Sequence, residues 1–215
     1  MLFRSVTIYN GIDTSQVHTT LTKAEAKRRL AIPESYSVLG VAARLEPIKR
    51  LDIFLAAADQ IATRLPHTRF VVAGEGSEEG RLRELARTSQ LQGRVLFLGH
   101  RSDIYDVLRS FDVFVLCSDH EGMPMALLEA LWLGVPVVAR RVGGIPELIE
   151  DGVTGTLVES AEVAALAKAC LEILADQERR KLVTLAGTNL VKEKFDAACT
   201  AEEVLKLYLS LCGAK

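Results

Sequence analysis

The sequence lacks the features that mark several large classes of protein. No apolar run reaches the ~18–20 residues of a transmembrane helix, and the opening residues MLFRS are too short for a signal peptide. The net charge is only −2, so bulk charge indicates neither a nucleic-acid partner nor an anionic membrane. No P-loop, GxSxG or HExxH motif occurs either. The sequence therefore has none of the motifs by which P-loop nucleoside triphosphatases, α/β-hydrolases and zinc metalloproteases are identified.

Cysteine and histidine are few and scattered. The four cysteines show no CxxC spacing, and the four histidines are not spaced as metal ligands. We therefore expect reduced thiols in a cytoplasmic protein, with neither a disulfide framework nor a metal site.

The sequence does have a regular alternation of short apolar strands and amphipathic helices. This alternation predicts an α/β fold with a Rossmann-like parallel sheet and helices on both faces, in a single domain over residues 1–215. Ligands of such sheets bind at the carboxyl ends of the strands, so the residues after each strand are the candidates. The predicted strands are residues 5–10, 37–43, 69–74, 94–99, 112–117, 135–139 and 154–158.

The helices are predicted from their apolar stripes and their starts. Thr22 with Glu25 three residues later has the spacing of a capping box, and Ser102 is the expected N-cap of a short helix. The helices predicted after the one that Thr22 opens cover residues 51–65, 77–91, 102–111, 123–133, 146–150, 161–174, 176–194 and 197–211.

Two cations follow the second predicted strand. Arg44 and Lys49 lie in the loop of VAARLEPIKR, ahead of a helix. An arginine fork and a lysine point charge at a strand's carboxyl end suit a diphosphate. The alternative is a solvated basic loop.

Two glycine-rich turns lie at the same predicted edge. GEGSEEG, residues 74–80, resembles the GxGxxG fingerprint, but its third glycine comes one residue late, so a tight strand–helix turn with Glu75 at the cleft is favoured. Gly143 and Gly144 permit close backbone approach, or form a plain turn.

The stretch HEGMPMALLEALWLG predicts an anion site at a helix start. Pro124 fits the first turn, and the free amides of Gly122, Met123 and that turn would face outward at the positive end of the helix dipole. Glu121 stands beside this end, either as a functional acid or as an ordinary stabilising one.

Glu129 interrupts the most apolar helix of the chain. An unpaired buried carboxylate is costly, so Glu129 must find a partner or face a polar cavity. A carboxylate suits the vicinal hydroxyls of a ribose, and the alternative is an ion pair with Arg140 or Arg141.

Taken together, these motifs resemble the C-terminal, donor-binding half of a GT-B glycosyltransferase, and most closely family 4, whose retaining enzymes carry an E-x7-E motif. Glu121 and Glu129 have that spacing. The resemblance covers nearly the whole chain and rests on five stretches in order: IYNGID, GVAARLEPIKR, FVVAGEGSEEGRL, VLFLGHRSDIYDVLRSFDVFVLCS and HEGMPMALLEALWLGVPVVARRVGGIPELIEDGVTGTLV.

The resemblance implies a role for each candidate residue. Glu129 would bind the ribose and Glu121 the donor sugar. Arg44 and Lys49 would neutralise the leaving diphosphate in place of a metal, so no cofactor is expected. The base would lie near His100 and Arg101. Two departures are Arg50, where relatives often carry glycine, and Met123, where an aromatic residue is common.

The resemblance also implies a missing half. Residues 1–20 would be the remnant of the interdomain connection, and residues 195–215 a terminal helix that crosses to an absent N-terminal acceptor domain. The partners would be that domain and a UDP-, GDP- or ADP-linked sugar. Peripheral membrane association of the full enzyme and a homodimer contact through Val204, Leu207, Tyr208 and Leu211 are both compatible with it.

Three functions follow from this sequence. The first is donor binding in a retaining, metal-independent glycosyl transfer to a glycan, lipid or small molecule, with the isolated chain inactive in transfer. The second is a relative with other sugar chemistry, such as a phosphorylase or an epimerase, although no signature for a lysine-bound pyridoxal phosphate is evident. The third is a non-catalytic module that binds a nucleotide sugar or a protein.

Overall fold

The computed structural model describes residues 5–87 and 89–212, which form six strands, nine helices and two 3-10 turns. The strands are β1 Ser37–Ala42, β2 Thr68–Ala73, β3 Val95–Gly99, β4 Val113–Leu116, β5 Val137–Arg140 and β6 Thr156–Val158. The helices are α1 Lys23–Arg29, α2 Leu51–Arg64, α3 Glu79–Arg87, α4 Ile104–Arg109, α5 Met125–Trp132, α6 Ile145–Leu148, α7 Val163–Ala175, α8 Gln177–Lys194 and α9 Ala197–Cys212. The 3-10 turns are Pro47–Lys49 and Ser89–Leu91.

All six strands form one parallel sheet in the order β3-β2-β1-β4-β5-β6. The chain runs outward from β1 to β3 and then returns to place β4 on the other side of β1. The switch point of the sheet therefore lies between β1 and β4, and ligands of such sheets bind near this point at the carboxyl edge. The predicted Rossmann-like α/β fold is confirmed.

The seam between β1 and β4 is narrow. Only Leu39 pairs with Val113 and Gly40 with Phe114. A Cβ atom built on Gly40 would lie 2.1 Å from the ring of Phe111, a contact that no real Cβ makes. Glycine at this position therefore lets a buried aromatic ring lie directly against the backbone of the central strand.

Each face of the sheet has its own apolar core. Val38 and Ala42 of β1 pack on the side of α4, α5 and α6, while Leu39 and Val41 pack on the side of α2, α3 and α7. The alternation along the strand follows from its two-residue period. Both faces of β1 are covered, which is why the strand is apolar throughout.

Three local predictions differ from the structure. Residues 5–10 form no strand; the carbonyl of Tyr9 accepts from Thr200 of α9 at 2.9 Å, and the amide of Ile12 donates to the carbonyl of Phe195 just before that helix. Asp103, not Ser102, precedes α4 as its N-cap, and its side chain binds Arg101 instead of capping. The helix predicted over residues 77–91 covers only Glu79–Arg87, followed by a 3-10 turn.

The other predicted elements occur with shifts of a few residues at their ends, and the capping box of Thr22 and Glu25 is present. No residue of α9 is buried. Tyr208 and Leu211 are exposed, and Val204 and Leu207 are half-buried. Within the described ranges, no helix is long and apolar enough to cross a bilayer.

Candidate functional site

A cleft of about 400 Å³ opens at the carboxyl edge of the sheet, at the ends of β1, β2 and β3. Four residues predicted from the sequence line it together, namely Arg44, Glu75, His100 and Arg101. The N-terminal turn of α5 reaches the cleft through Ala126. The four residues, which were predicted from their positions after the strands, therefore lie together in one cleft.

The loop that carries Arg44 is supported by the turn after β2. Gly74 has a φ of +130°, and a Cβ there would lie 1.9 Å from the carbonyl oxygen of Ala43. The amide of Leu45 also donates to the carbonyl of Glu75, at 2.9 Å. The glycines of GEGSEEG therefore allow two loops to pack together, as the tight-turn interpretation expected.

The two predicted cations have different surroundings. Arg44 is exposed and forms no ion pair within the described part of the chain. Lys49 Nζ lies 2.7 Å from Oε1 of Glu121, which also accepts from the hydroxyl of Ser118 at 2.6 Å. Arg44 is available to a ligand as it stands, whereas Lys49 already neutralises an acid.

Glu121 is only 6% exposed, yet only one of its carboxylate oxygens is used. The contacts with Lys49 and Ser118 both fall on Oε1, and Oε2 accepts no hydrogen bond from the described residues. A buried carboxylate needs such partners, and Lys49 with Ser118 provides them. Glu121 is therefore more than an exposed acid at a helix start.

The turn after β5 packs directly on the backbone of Glu121 and Gly122. Gly143 has a φ of +52°, and a Cβ on it would lie 1.9 Å from the carbonyl oxygen of Glu121. The amide of Gly144 donates to that same oxygen at 2.9 Å. The close approach predicted for these two glycines holds the Glu121 segment rather than lining the cleft itself.

The start of α5 presents free donors. Pro124 is the N-cap, one position before the first helical residue, and its carbonyl accepts from Leu127 at 3.0 Å. The amides of Gly122, Met123, Met125 and Ala126 donate to no backbone or side-chain acceptor in the described ranges. With the helix dipole, such amides favour an anion.

Glu129 lies half-buried on α5 and has no hydrogen bond or ion pair among the described residues. Burial raises the pKa of its carboxyl above the ordinary value. The alternative ion pair is wrong, because Arg140 pairs with Asp119 and Arg141 with Glu159. Glu129 is not in the lining of the cleft, but it follows by one helical turn Ala126, which is, and its carboxylate has no partner among the described residues.

His100 and Arg101 differ in what they offer to a ligand. His100 is exposed at the end of β3. Arg101 is held by Asp103 through two bonds, Nε to Oδ1 at 2.7 Å and Nη2 to Oδ2 at 2.6 Å. Its guanidinium is thus oriented and neutralised within its own loop.

Two further residues at this edge were not predicted. Ser118 binds Glu121, while Asp119 bridges Arg50 and Arg140. The signal for Ser118 was its position three residues before Glu121, directly after an apolar strand. The partners of Asp119 lie far away in sequence and gave no local signal. Within residues 5–87 and 89–212, no group of three or more His, Cys, Asp and Glu side chains is arranged to hold a metal ion.

An open parallel sheet in this strand order, with a cleft at its carboxyl edge that is lined by an arginine and by the first turn of a helix with free amides, is a doubly wound α/β domain of the kind that binds ligands at this edge. Residues 22–189 match the family model described as glycosyl transferases group 1, so the chain belongs to this family. Its fold is that of GT-B enzymes, and it is a domain of the C-terminal kind.

Individual relatives agree with this assignment. N-acetyl-alpha-D-glucosaminyl L-malate synthase of Bacillus anthracis is 31% identical over 88% of this chain and 49% of its own length. Anabaena HepE in complex with UDP-glucose superposes with a TM-score of 0.86 at 26% identity, over 94% of this chain and 57% of HepE.

The C-terminal domain of the group 1 glycosyl transferase LpcC of Francisella tularensis superposes with a TM-score of 0.78 at 26% identity, over 86% of this chain and 99% of that domain. The chain spans about half the length of the curated relatives it matches.

Proposed function

We propose that this chain binds a nucleotide-sugar donor and supplies the donor half of a retaining, metal-independent glycosyl transfer, with Glu121 and Glu129 as the E-x7-E pair of a family 4 enzyme. The observation that carries the proposal is the crevice itself. Arg44 lines the cleft, and α5, which reaches the cleft through Ala126, carries the free amides at its start and the half-buried carboxylate of Glu129 one turn further on. None of these groups has a partner among the described residues, and each has a match on a nucleotide sugar.

The diphosphate is assigned to the cationic side of the crevice. Arg44 is exposed beside it, and the free amides at the start of α5 supply further donors. Departure of a nucleoside diphosphate leaves negative charge on its terminal phosphate, and fixed donors at that point stabilise the transition state. Arg44 and Lys49 provide this charge without a metal ion.

We assign the nucleoside to the side of the crevice where Glu129, Glu75, His100 and Arg101 lie. We assign Glu129 to the ribose, whose 2′ and 3′ hydroxyls would donate to its carboxylate and give it the partners it lacks. The base then falls at the part of the cleft lined by Glu75, His100 and Arg101. The transferred sugar is left to Glu121, whose Oε2 has no partner in the described residues.

The relatives support a donor of this class. HepE is described in complexes with UDP-glucose and with UDP. The names of other relatives point to several acceptors, L-malate and inositol 3-phosphate among them. We propose a glycan, lipid or small molecule as the acceptor class, bound by the half of a GT-B enzyme that these residues do not include.

Calorimetric titration of the chain with UDP, GDP and ADP tests the proposal. One of them should bind in the presence of EDTA. Arg44→Ala and Lys49→Ala should each lose about 1.5–3 kcal/mol of binding free energy, the range for a hydrogen bond to a charged group. Arg83→Ala, which removes an exposed charge on α3 that pairs with Glu79, should bind as the parent does.

Three results would contradict the proposal: no binding of any diphosphate, an absolute need for magnesium or manganese, or equal losses in the Arg83 control. Transfer to an acceptor is not expected of these residues alone, because holding the acceptor hydroxyl against the anomeric carbon supplies much of a bimolecular rate gain. Slow hydrolysis of the donor is the most that should remain.

A further inference from the structure

Arg50 has a backbone conformation that an arginine adopts only at a cost. Its φ is 49° and its ψ 44°, in the left-handed region, and among the described non-glycine residues only Ala31 shares a positive φ. For an L-residue this conformation is strained by contact between Cβ and the following carbonyl. Interactions of the side chain must offset the strain.

The side chain of Arg50 holds two carboxylates at once. Nε and Nη2 bind Asp52 at 3.1 and 3.2 Å, and Nη1 lies 3.2 and 3.1 Å from the two carboxylate oxygens of Asp119. Asp52 lies in the first turn of α2, and Asp119 lies in the loop after β4. Arg50 therefore ties the start of α2 to the segment that precedes Glu121.

The segment around Asp119 is itself fixed from the other side. Arg140 Nη1 donates to Asp119 at 2.5 Å and to the carbonyls of Cys117 and Ser118 at 3.1 and 3.2 Å. The amide of Asp119 donates to the carbonyl of Ile48 at 2.9 Å. The 3-10 turn Pro47–Lys49, here called the lysine turn, is thus joined to a rigid edge of the sheet.

Lys49 and Glu121 join the same two segments. Lys49 immediately precedes Arg50, and Glu121 follows Asp119 by two residues, so the two ion pairs run side by side. All four residues lie beside the cleft rather than in its lining. Because the Arg50–Asp119 pair joins the same two segments as the Lys49–Glu121 pair, its loss acts on the position of Lys49.

We propose that Arg50 and Asp119 are positioning residues that hold the lysine turn so that Lys49 stays against Glu121 and at the diphosphate. This inference rests on the proposed function in assigning the diphosphate to Lys49. An arginine is required because its planar fork binds two acids at once, which the single ammonium group of lysine does not reproduce.

The first measurement needs no ligand. The protein is treated with an N-hydroxysuccinimide ester, which acylates lysines. Peptide mass spectrometry then gives the rate of acylation at Lys49 relative to the rate at the exposed Lys206. In Arg50→Gly and Asp119→Asn the rate should rise about two- to five-fold, the factor that a partly exposed ion pair implies. Amide exchange over residues 44–50 should rise with it.

Thermal unfolding separates positioning from general stabilisation. Arg50→Gly removes the ion pairs but also relieves the strain, since glycine adopts positive φ freely. Its melting temperature should therefore match or exceed that of Arg50→Ala, while Lys49 is released in both. Arg141→Ala is the matched control, because it breaks an arginine–carboxylate pair with Glu159 at the same edge and should leave Lys49 unchanged.

Unchanged acylation of Lys49 in both Arg50→Gly and Asp119→Asn would overturn the inference, as would an equal rise in Arg141→Ala.

Titration with UDP then tests the link to function. The affinity for UDP should fall by a similar factor in Arg50→Gly and Asp119→Asn, and it should stay low in Arg50→Lys. Full affinity in Arg50→Lys would mean that only the charge matters, which contradicts positioning. If the parent binds none of UDP, GDP and ADP, the proposed function fails, whereas the acylation result still decides the positioning of Lys49.

Discussion

Two carboxylates at opposite ends of the sheet, Asp112 and Glu129, differ in the partners that folding gives them. At the amino end, Asp112 binds Lys23 at 3.1 Å, Lys27 at 2.8 Å and the amide of Val38 at 2.9 Å. At the carboxyl end, Glu129 and the exposed Arg44 have no partner among the described residues, although Glu121 nearby is paired with Lys49. Asp112 is satisfied by folding alone, whereas Glu129 and Arg44 are left for a ligand.

The two carboxylates also titrate in opposite directions. Burial raises the pKa of Asp112, but Lys23, Lys27 and the Val38 amide outweigh it, so the pKa lies below its ordinary value. For Glu129 burial acts alone and raises the pKa. Ionised Asp112 therefore stabilises the fold, whereas ionised Glu129 destabilises it.

The largest expected effect is on Asp112. Asp112→Ala leaves Lys27, which is 5% exposed, buried without its carboxylate, and breaking such a pair costs about 3 kcal/mol of unfolding free energy. Urea denaturation measures the loss. Glu178→Ala, which only breaks an exposed pair with Lys181, should cost less than about 0.5 kcal/mol.

The pH dependence checks the cause of that effect. Because the folded pKa of Asp112 is depressed, its contribution is present above the ordinary carboxyl pKa and is lost as the pH falls through the folded value. Asp112→Ala should lose less stability than the parent across that acidic window. Parallel acid curves for parent and variant would show that the ion cluster is not what Asp112 contributes.

The next effect is on Glu129. Glu129→Gln should weaken the binding of UDP and of UDP-glucose alike, by about 1.5–3 kcal/mol, because the ribose is common to both. Glu121→Gln should weaken only UDP-glucose, and free UDP should bind as well as before or better, since Lys49 loses a competing carboxylate. Equal losses on both ligands in both variants would refute this division between ribose and sugar.

Stability should move the other way in Glu129→Gln. A raised folded pKa means that the parent loses stability as the pH rises through that value and carries the full penalty above it. The glutamine variant has no charge to desolvate, so its unfolding free energy should not show this decline near and above the ordinary carboxyl range. A variant that is less stable than the parent at neutral pH would indicate a hidden partner for Glu129.

The smallest effect on UDP binding is expected at Arg101. It compares a paired arginine with an unpaired one, Arg44, at the carboxyl end of the sheet. Asp103 already neutralises Arg101, whereas no described residue neutralises Arg44. Arg101→Ala should therefore cost less than about 1 kcal/mol of UDP binding, below the loss in Arg44→Ala. Calorimetry on the two variants side by side decides this, and a larger loss at Arg101 would reverse their assigned roles.

Features that depend on residues close in sequence were predicted, whereas contacts between residues far apart in sequence were not. The strands and the edge that gathers Arg44, Glu75, His100 and Arg101 follow from local periodicity, because the residue after each apolar run is fixed by the run itself. The ion pairs do not follow in this way. Asp119 lies 69 residues from Arg50, and no local pattern distinguishes it from Glu129 as a partner for Arg140.

The failed strand at residues 5–10 has a tertiary cause as well. The segment SVTIYN alternates as a strand does, but the described sheet ends at β3 and β6, and the carbonyl of Tyr9 accepts from Thr200 of α9 instead. Local propensity is overridden here by a helix that only the fold brings close. The cap of α4 is different, because Asp103 binds Arg101 two residues away and caps no amide.

The contact between Gly40 and Phe111 also constrains how this chain can vary. Any side chain at position 40 would occupy the space of the Phe111 ring, and a smaller residue at position 111 would leave a void against the central strand. Either change alone costs stability, while a compensating pair restores the filled volume. The two positions therefore form one mutational unit that fastens the two halves of the sheet, and a lineage can cross from one pairing to another only through a destabilised intermediate.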